Sequence, residues 1–327
     1  MKTIAFFNNK GGVGKTSLVY HLAWMFGEIG HRVVAVDLDP QANLSGIFLD
    51  EDTLGKIWQD DDRNTIDQDI APLFQGIGDI SDDPHIEKIN EKIGLLTGDL
   101  SLSKREDDLS GQWPKCLDGD ERAFRVTTAF ARLIARAGKE FQADIAFVDV
   151  GPNLGAINRA ALIASDYVVI PLAPDLFSLQ GLHNVGPILK DWRKAWQERI
   201  KKKPNGLDID LPSGEMEAIG YVVMRHTTIL SRPVQAYLKW IEKIPGEYKK
   251  SVIGESEESN RTVSIDKDKN ALAHLKDYRS LMPMAQDANK PMFMLRPADG
   301  VIGAQQSAVQ SCYKDFKSLA NKIIKRI

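Results

Sequence analysis

One octapeptide near the start, Lys10-Gly11-Gly12-Val13-Gly14-Lys15-Thr16-Ser17, restricts the fold more than any other stretch of the 327 residues. It follows an apolar run, Ile4-Ala5-Phe6-Phe7, and precedes a segment in which Leu18, Leu22 and Phe26 recur at helical spacing. A strand, a glycine turn and a helix opening in Lys-Thr form the arrangement that holds phosphate groups. Glycines let main-chain N–H groups face inward at close range, and the helix N-terminus adds partial positive charge. Lys15 would neutralise the β and γ phosphates and the Thr16 hydroxyl would ligate Mg²⁺. Gly11, Gly12, Val13, Gly14 and Ser17 complete the cradle. A second apolar run over 33–36 closes a βαβ unit, which implies a parallel sheet and a right-handed crossover.

Downstream, the spacing predicts strands over 93–96, 145–148, 167–170 and 219–224. Helices are predicted over 123–137, 156–164, 181–200 and 233–244, and from about 303 to the end. Strands alternating with helices imply an α/β fold, a doubly wound and mostly parallel sheet flanked by helices. The reading is a single P-loop ATPase domain over residues 1–327, with an acidic insertion at about 50–121 and an irregular polar insertion at about 245–285. The chain is 43% hydrophobic and 27% charged, an ordinary globular balance. No apolar run approaches the roughly 20 residues of a spanning helix. The apolar start is too short for a signal peptide, so a soluble, cytoplasmic protein is expected. Cys116 and Cys312 lie far apart and match no metal-ligand spacing, which leaves them as reduced thiols.

Two aspartate segments accompany the loop. Val36-Asp37-Leu38-Asp39-Pro40-Gln41-Ala42-Asn43 ends the second strand, at the sheet edge where open α/β folds bind ligands, so its carboxylates point towards the loop. Ile145-Ala146-Phe147-Val148-Asp149-Val150-Gly151-Pro152 is an apolar strand ending in aspartate, the arrangement that holds Mg²⁺, usually through water.

The first glycine of the ordinary G-x-x-x-x-G-K-[ST] loop is replaced here by Asn9, and Lys10 precedes the paired glycines. In this the chain resembles the deviant Walker A ATPases of the ParA/MinD family, whose loop reads K-G-G-x-G-K-[ST]. The segment from Asp37 to Asn43 is similar to that family's D-x-D-P-Q-x-N. The segment after Asp149 is similar to its D-x-P-P, with Gly151 in place of the first proline. Ser178-Leu179-Gln180-Gly181-Leu182 also resembles the family. The resemblance implies ATP and Mg²⁺ as ligands, with Lys10 crossing a nucleotide-sandwich homodimer to the partner's phosphates. It implies that Asp39 orients the attacking water, that Asp37 supports the metal's outer shell beside Thr16 and Asp149, and that Gln41, Asn43, Gly151 and Pro152 belong to switches sensing the γ phosphate.

Charge is uneven along the chain. Residues 50–121 hold 20 Asp/Glu against 7 Lys/Arg, and residues 190–203 hold 7 Lys/Arg against 2 Asp/Glu. Lys190, Arg193, Lys194, Arg199, Lys201, Lys202 and Lys203 form either a solvated helix end or part of a surface for DNA. With a net charge of −3, only such a local patch could bind nucleic acid.

Three functional readings follow. A ParA-type partition or positioning ATPase would bind DNA non-specifically as an ATP dimer, associate with the nucleoid, and have hydrolysis stimulated by a ParB-like partner. With the loop starting almost at Met1, no helix-turn-helix is expected ahead of it. A MinD-like switch would instead bind a membrane through the amphipathic, basic tail from Phe316 to Ile327, although a terminal helix packed on the sheet gives the same pattern. An ATP-dependent ligase with a related loop has no substrate signature here, and the iron–sulfur reductases sharing this loop lack their cysteines after Asp149.

Overall fold

The computed structural model describes residues 1–59, 64–224, 239–255, 264–276, 278 and 280–327. Eight strands form one sheet in the order β3-β4-β2-β5-β1-β6-β7-β8. They are β1 (Lys2–Phe6), β2 (Val33–Asp37), β3 (Glu87–Lys88), β4 (Ile93–Leu96), β5 (Ile145–Asp149), β6 (Tyr167–Leu172), β7 (Glu217–Met224) and β8 (Ala271–Leu275). All neighbours are parallel except β3 against β4.

The central strands are apolar along their length because both faces are covered. Ala5, Val34, Val36, Ala146 and Val148 enter one core, while Ile4, Phe6, Val33, Ala35, Ile145 and Phe147 enter the other. That alternation is the period of two expected of strand side chains. The helix α1 (Lys15–Glu28) covers the second face together with the terminal helix (Ala304–Ile324). Six further helices precede α8: α2 (Asn43–Phe48), α3 (Glu51–Gln59), α4 (Ile66–Gln75), α5 (Arg105–Lys115), α6 (Glu121–Thr127) and α7 (Ala129–Glu140). With α8 (Ala156–Ile163) and α9 (Leu176–Ile200), α4 to α7 build the other layer.

The structure differs from the sequence reading in four places. The helix expected over 123–137 is two, because the Thr128 hydroxyl donates back to the Phe124 carbonyl at 2.7 Å and Thr128 leaves helical geometry. Helix α9 starts at Leu176, five residues before the expected position. Asp175 caps it by accepting from the Ser178 N–H at 2.8 Å, and exposed Leu176 and Phe177 hide the start from a periodicity argument. The segments set aside as insertions both supply unexpected strands: β3 falls within 50–121, beside β4 at its expected place, and β8 falls within 245–285. Residues 245–285 are therefore not wholly irregular. β3 is a two-residue edge strand of polar residues, and β8 is a five-residue edge strand that buries Leu272 and Leu275 within an otherwise polar, charge-dense stretch. Residues 233–238 of the helix expected over 233–244 lie outside the described residues.

His21 ties α1 to the C-terminal part of the chain. Its Nδ1–H donates to the Ser17 carbonyl at 2.7 Å, and Nε2 accepts from the Met292 N–H at 3.2 Å. The ring stacks on Phe316 at 5.1 Å. Burial holds its pKa down, at about 4, well below the ordinary imidazole value. The neutral ring is thus favoured in the folded state. Its stabilisation is complete above about pH 6.5 and declines as pH falls from there towards 4, by about 1.4 kcal/mol per pH unit. Urea unfolding of the wild type and His21→Gln between pH 7.5 and 5 checks this: the variant is expected to be less stable at pH 7.5 but to lose about one proton's worth less stability on acidification.

Candidate functional site

Parallel pairing brings three strand ends into line. Phe6 pairs in register with Asp149, and Asp149 with Asp37, so both carboxylates stand at the edge where β1 turns into the glycine loop. Gly14 ends that loop as the N-cap of α1 with φ +84°, a left-handed conformation that an L side chain would strain. Asn8 anchors the start: its amide donates to the Pro171 carbonyl at 2.7 Å, and its Oδ1 accepts from the Lys10 N–H at 3.1 Å.

The charges inside this edge are unbalanced. Asp37 and Asp149 are fully buried. Neither oxygen of Asp149 has a hydrogen-bond partner, nor does Oδ1 of Asp37. Burial, then the Asp37 charge, push the Asp149 carboxyl up to about 8, and the nearby Thr16 hydroxyl and Lys15 ammonium oppose the rise without cancelling it. Burial likewise raises Asp37 to about 7, against two bonds from Ser45, whose N–H and hydroxyl each reach Asp37 Oδ2 at 2.8 Å. Ser45 is itself held, accepting from the Gly98 N–H at 2.8 Å. Lys15 is buried as well. Desolvation lowers its pKa, and the charges of Asp149 and Asp39 pull it back.

Buried carboxylate oxygens without donors fit a cation. Among the described residues no cluster of three or more His, Cys, Asp or Glu could hold a metal alone. The residues present therefore fit a cation whose remaining ligands would come from the Thr16 hydroxyl, water or a bound phosphate.

The other expected residues are placed as follows. Asp39 is buried, and its Oδ1 accepts from the Gln41 N–H at 3.0 Å. Gln41 and Asn43 are exposed and joined by a side-chain bond of 3.0 Å. Between them Ala42 sits at φ +51°, a strained conformation for a residue with a Cβ. The Lys10 ammonium is paired with Asp175 of its own chain and lies 5.7 Å from the Phe177 ring centroid, so reaching a second subunit would mean exchanging that carboxylate for phosphate. After Asp149, the loop through Gly151 and Pro152 is pinned by Asn158, which donates to the carbonyls of Gly151 at 2.8 Å and Asn153 at 2.7 Å. Ser45, Asn158 and Asp175 were not assigned roles from sequence. Ser45 and Asp175 carry no local signal in the sequence.

The basic set does not form one surface. Arg199 is buried, donates to the carbonyls of Trp113 and Ala195, and lies 3.8 Å from the Trp113 ring centroid, so it is a packing residue and not a DNA contact. Arg193 donates to the carbonyls of Glu215 and Met216, and Lys203 to that of Ile209. Lys190, Lys194, Lys201 and Lys202 remain exposed. The apolar face of the terminal helix is also occupied, since Cys312, Phe316, Leu319, Ala320 and Ile323 are buried against the sheet layer. The membrane-surface reading loses its apolar face. No helix among the described residues is long and apolar enough to cross a membrane.

A protein-family model described as an AAA domain matches residues 1–202. The chain belongs to that family. It is a P-loop ATPase of the ParA/MinD type. Three matches run along most of both chains. The chromosome partitioning protein ParA of Myxococcus xanthus is 26% identical over 252 residues, covering 77% of this chain and 73% of that protein. Protein DIP2308 of Corynebacterium diphtheriae superposes with a TM-score of 0.72 at 25% identity, covering 100% of this chain and 98% of that one. A plasmid partition protein of Borrelia burgdorferi, bound to AMPPNP, shares the fold with a TM-score of 0.59 at 16% identity, covering 100% and 99%. The chain spans about half the length of most other curated relatives it matches.

The unbalanced carboxylates generate a test. A raised carboxyl pKa means the protonated form is favoured on folding, so the group's stabilisation is complete below its unfolded value and is lost as pH rises through about 8. Near pH 7 without a cation, the Asp149 charge opposes folding. Asp149→Asn is therefore expected to melt higher than wild type in EDTA by a few kcal/mol of stability at most, and to lose the Mg²⁺-dependent part of the stabilisation by ATP. Thermal melts with EDTA, ATP and Mg·ATP check both signs.

Proposed function

We propose that this chain is an ATP-dependent dimerising switch that hydrolyses ATP to ADP and phosphate and positions DNA or another large cargo. The observation that carries this reading is the convergence of buried Lys15 with the buried Asp37 and Asp149, three of whose four carboxylate oxygens lack hydrogen-bond partners, at a glycine loop preceded by Lys10.

The chemistry is in-line attack of water on the γ phosphate. The amides of the glycine loop and Lys15 hold the β and γ phosphates, and catalysis comes from positioning and charge neutralisation. Thr16, with Asp149 and Asp37, would hold Mg²⁺, which would supply charge neutralisation for the phosphates. Asp39, fixed by the Gln41 N–H, orients the water, and the Gln41–Asn43 pair and the Gly151–Pro152 loop respond to the γ phosphate. Lys10 leaves Asp175 for the triphosphate of a second subunit. Leu154, Leu176 and Phe177, which are 41%, 54% and 71% exposed beside the loop, support burial of this face in a dimer.

Slow turnover suits a device whose output is its nucleotide state. The partitioning function of the M. xanthus relative supports non-specific DNA as the matrix and a ParB-like partner as the stimulator. Lys190, Lys194, Lys201 and Lys202 would supply part of a salt-sensitive phosphate-binding surface.

Lys15→Ala is expected to abolish nucleotide binding, by loss of the cation facing the phosphates; titration with a fluorescent ATP analogue measures it. Asp39→Ala is expected to bind ATP, hydrolyse it at least about a hundredfold more slowly, and accumulate as a dimer. Size-exclusion chromatography with light scattering in ATP and in ADP tests the dimer, and a variant that stays monomeric in ATP would refute the switch. DNA binding of that variant across a salt series tests the matrix.

A further inference from the structure

The loop over 150–155 joins Asp149 to α8, and its far end is held by a residue from the acidic segment. The Glu106 carboxylate, on α5, accepts from the backbone N–H of Ala156 at 2.5 Å and of Ile157 at 3.0 Å. These are the leading N–H groups of α8, which have no partner within their own helix. The N-cap residue, Gly155, has no side chain to serve them. A Cβ on Gly155 would stand 2.5 Å from Glu106 Oε1, so glycine at this position is what admits a carboxylate from elsewhere in the chain.

Helix α5 is secured along its length. Beside Glu106, Arg105 forms a two-pronged ion pair with Asp67 at 2.6 and 3.0 Å. Towards its other end, the Trp113 ring centroid lies 4.4 Å from the guanidinium of Arg159 on α8. The loop is thus fixed at the strand end by β5, in its middle by Asn158, and at its far end by Glu106.

We propose that Glu106 is a positioning residue for the nucleotide centre, an N-cap supplied by the acidic segment that sets the geometry of the loop following Asp149. The inference rests on the ATPase reading above and gives part of the 50–121 segment a role in that reaction. A negative charge at a helix N-terminus is favourable on its own account. What assigns it to the site is the loop it anchors. Six residues lie between Asp149 and α8, so a shift at either anchor changes where the Asp149 carboxylate and the Gly151–Pro152 turn face the phosphates.

The test compares Glu106→Ala, Glu106→Gln and, as a control that removes one exposed charge from the same helix, Asp108→Ala. Affinity for a fluorescent ATP analogue, single-turnover hydrolysis of Mg·ATP, and hydrogen exchange at Ala156 and Ile157 are measured on the full chain. In Glu106→Ala, exchange at the two amides should accelerate and hydrolysis should fall about tenfold to a hundredfold, while affinity, set by the glycine loop, stays within about twofold. Glu106→Gln keeps one acceptor oxygen and should fall between. Asp108→Ala should match the wild type. Hydrolysis by Glu106→Ala at the wild-type rate would overturn the assignment, as would equal losses of affinity and rate. If Glu106→Ala does not fold, Glu106→Gln decides, and wild-type rate with wild-type exchange would refute the role. An inactive wild type would instead defeat the ATPase reading on which it rests.

Discussion

The register of β1, β5 and β2 is the constraint on which the rest depends. Because Phe6, Asp149 and Asp37 stand side by side in parallel strands, the turn out of β1 must pass over two buried carboxylates. Without a cation those groups oppose folding, and both oxygens of Asp149 and Oδ1 of Asp37 lack hydrogen-bond partners. A fold that retains such a defect at its nucleotide edge is organised around a charge that arrives with the ligand. Lys15, buried and desolvated, supplies part of the compensation through its attraction to Asp149 and Asp39.

From that edge the structure runs outward through a small number of polar links. Ser45 holds Asp37 and is held by Gly98. Asn158 pins the turn after Asp149, and Glu106 clamps the helix beyond it. Asp175 uses one carboxylate oxygen to cap α9 and the other to hold Lys10, which joins the loop's extra lysine to the helix that begins with exposed Leu176 and Phe177. The Ser45–Gly98, Glu106–Ala156 and Lys10–Asp175 links join segments far apart in the chain. A change in phosphate occupancy therefore has direct contacts into α5, α8 and α9.

Much of this was legible beforehand because phosphate binding uses main-chain atoms, and the sequence required to expose them is restricted. The loop, the two aspartates and the apolar strands beneath them were read at their observed positions, since central parallel strands are apolar on both faces and leave little ambiguity. The edge strands β3 and β8 and the break at Thr128 were not, because short elements among polar residues and a single hydroxyl leave no periodic trace. The basic run from Lys190 to Lys203 is only partly legible for a related reason. Charge is visible in a sequence, but whether a guanidinium faces water or, like Arg199, lies on a buried indole is not.

By itself the sequence determined the doubly wound class, the phosphate loop and the identity of the carboxylates, since these follow from local spacing, glycine conformations and strand burial. Only the tertiary structure decided that Asp149 and one oxygen of Asp37 are left without hydrogen-bond partners, that Lys10 is paired within its own chain, and that Glu106 caps a helix 50 positions away. The physical reason is that hydrogen bonding and desolvation depend on which distant groups meet in a low-dielectric interior, and no local pattern encodes that meeting.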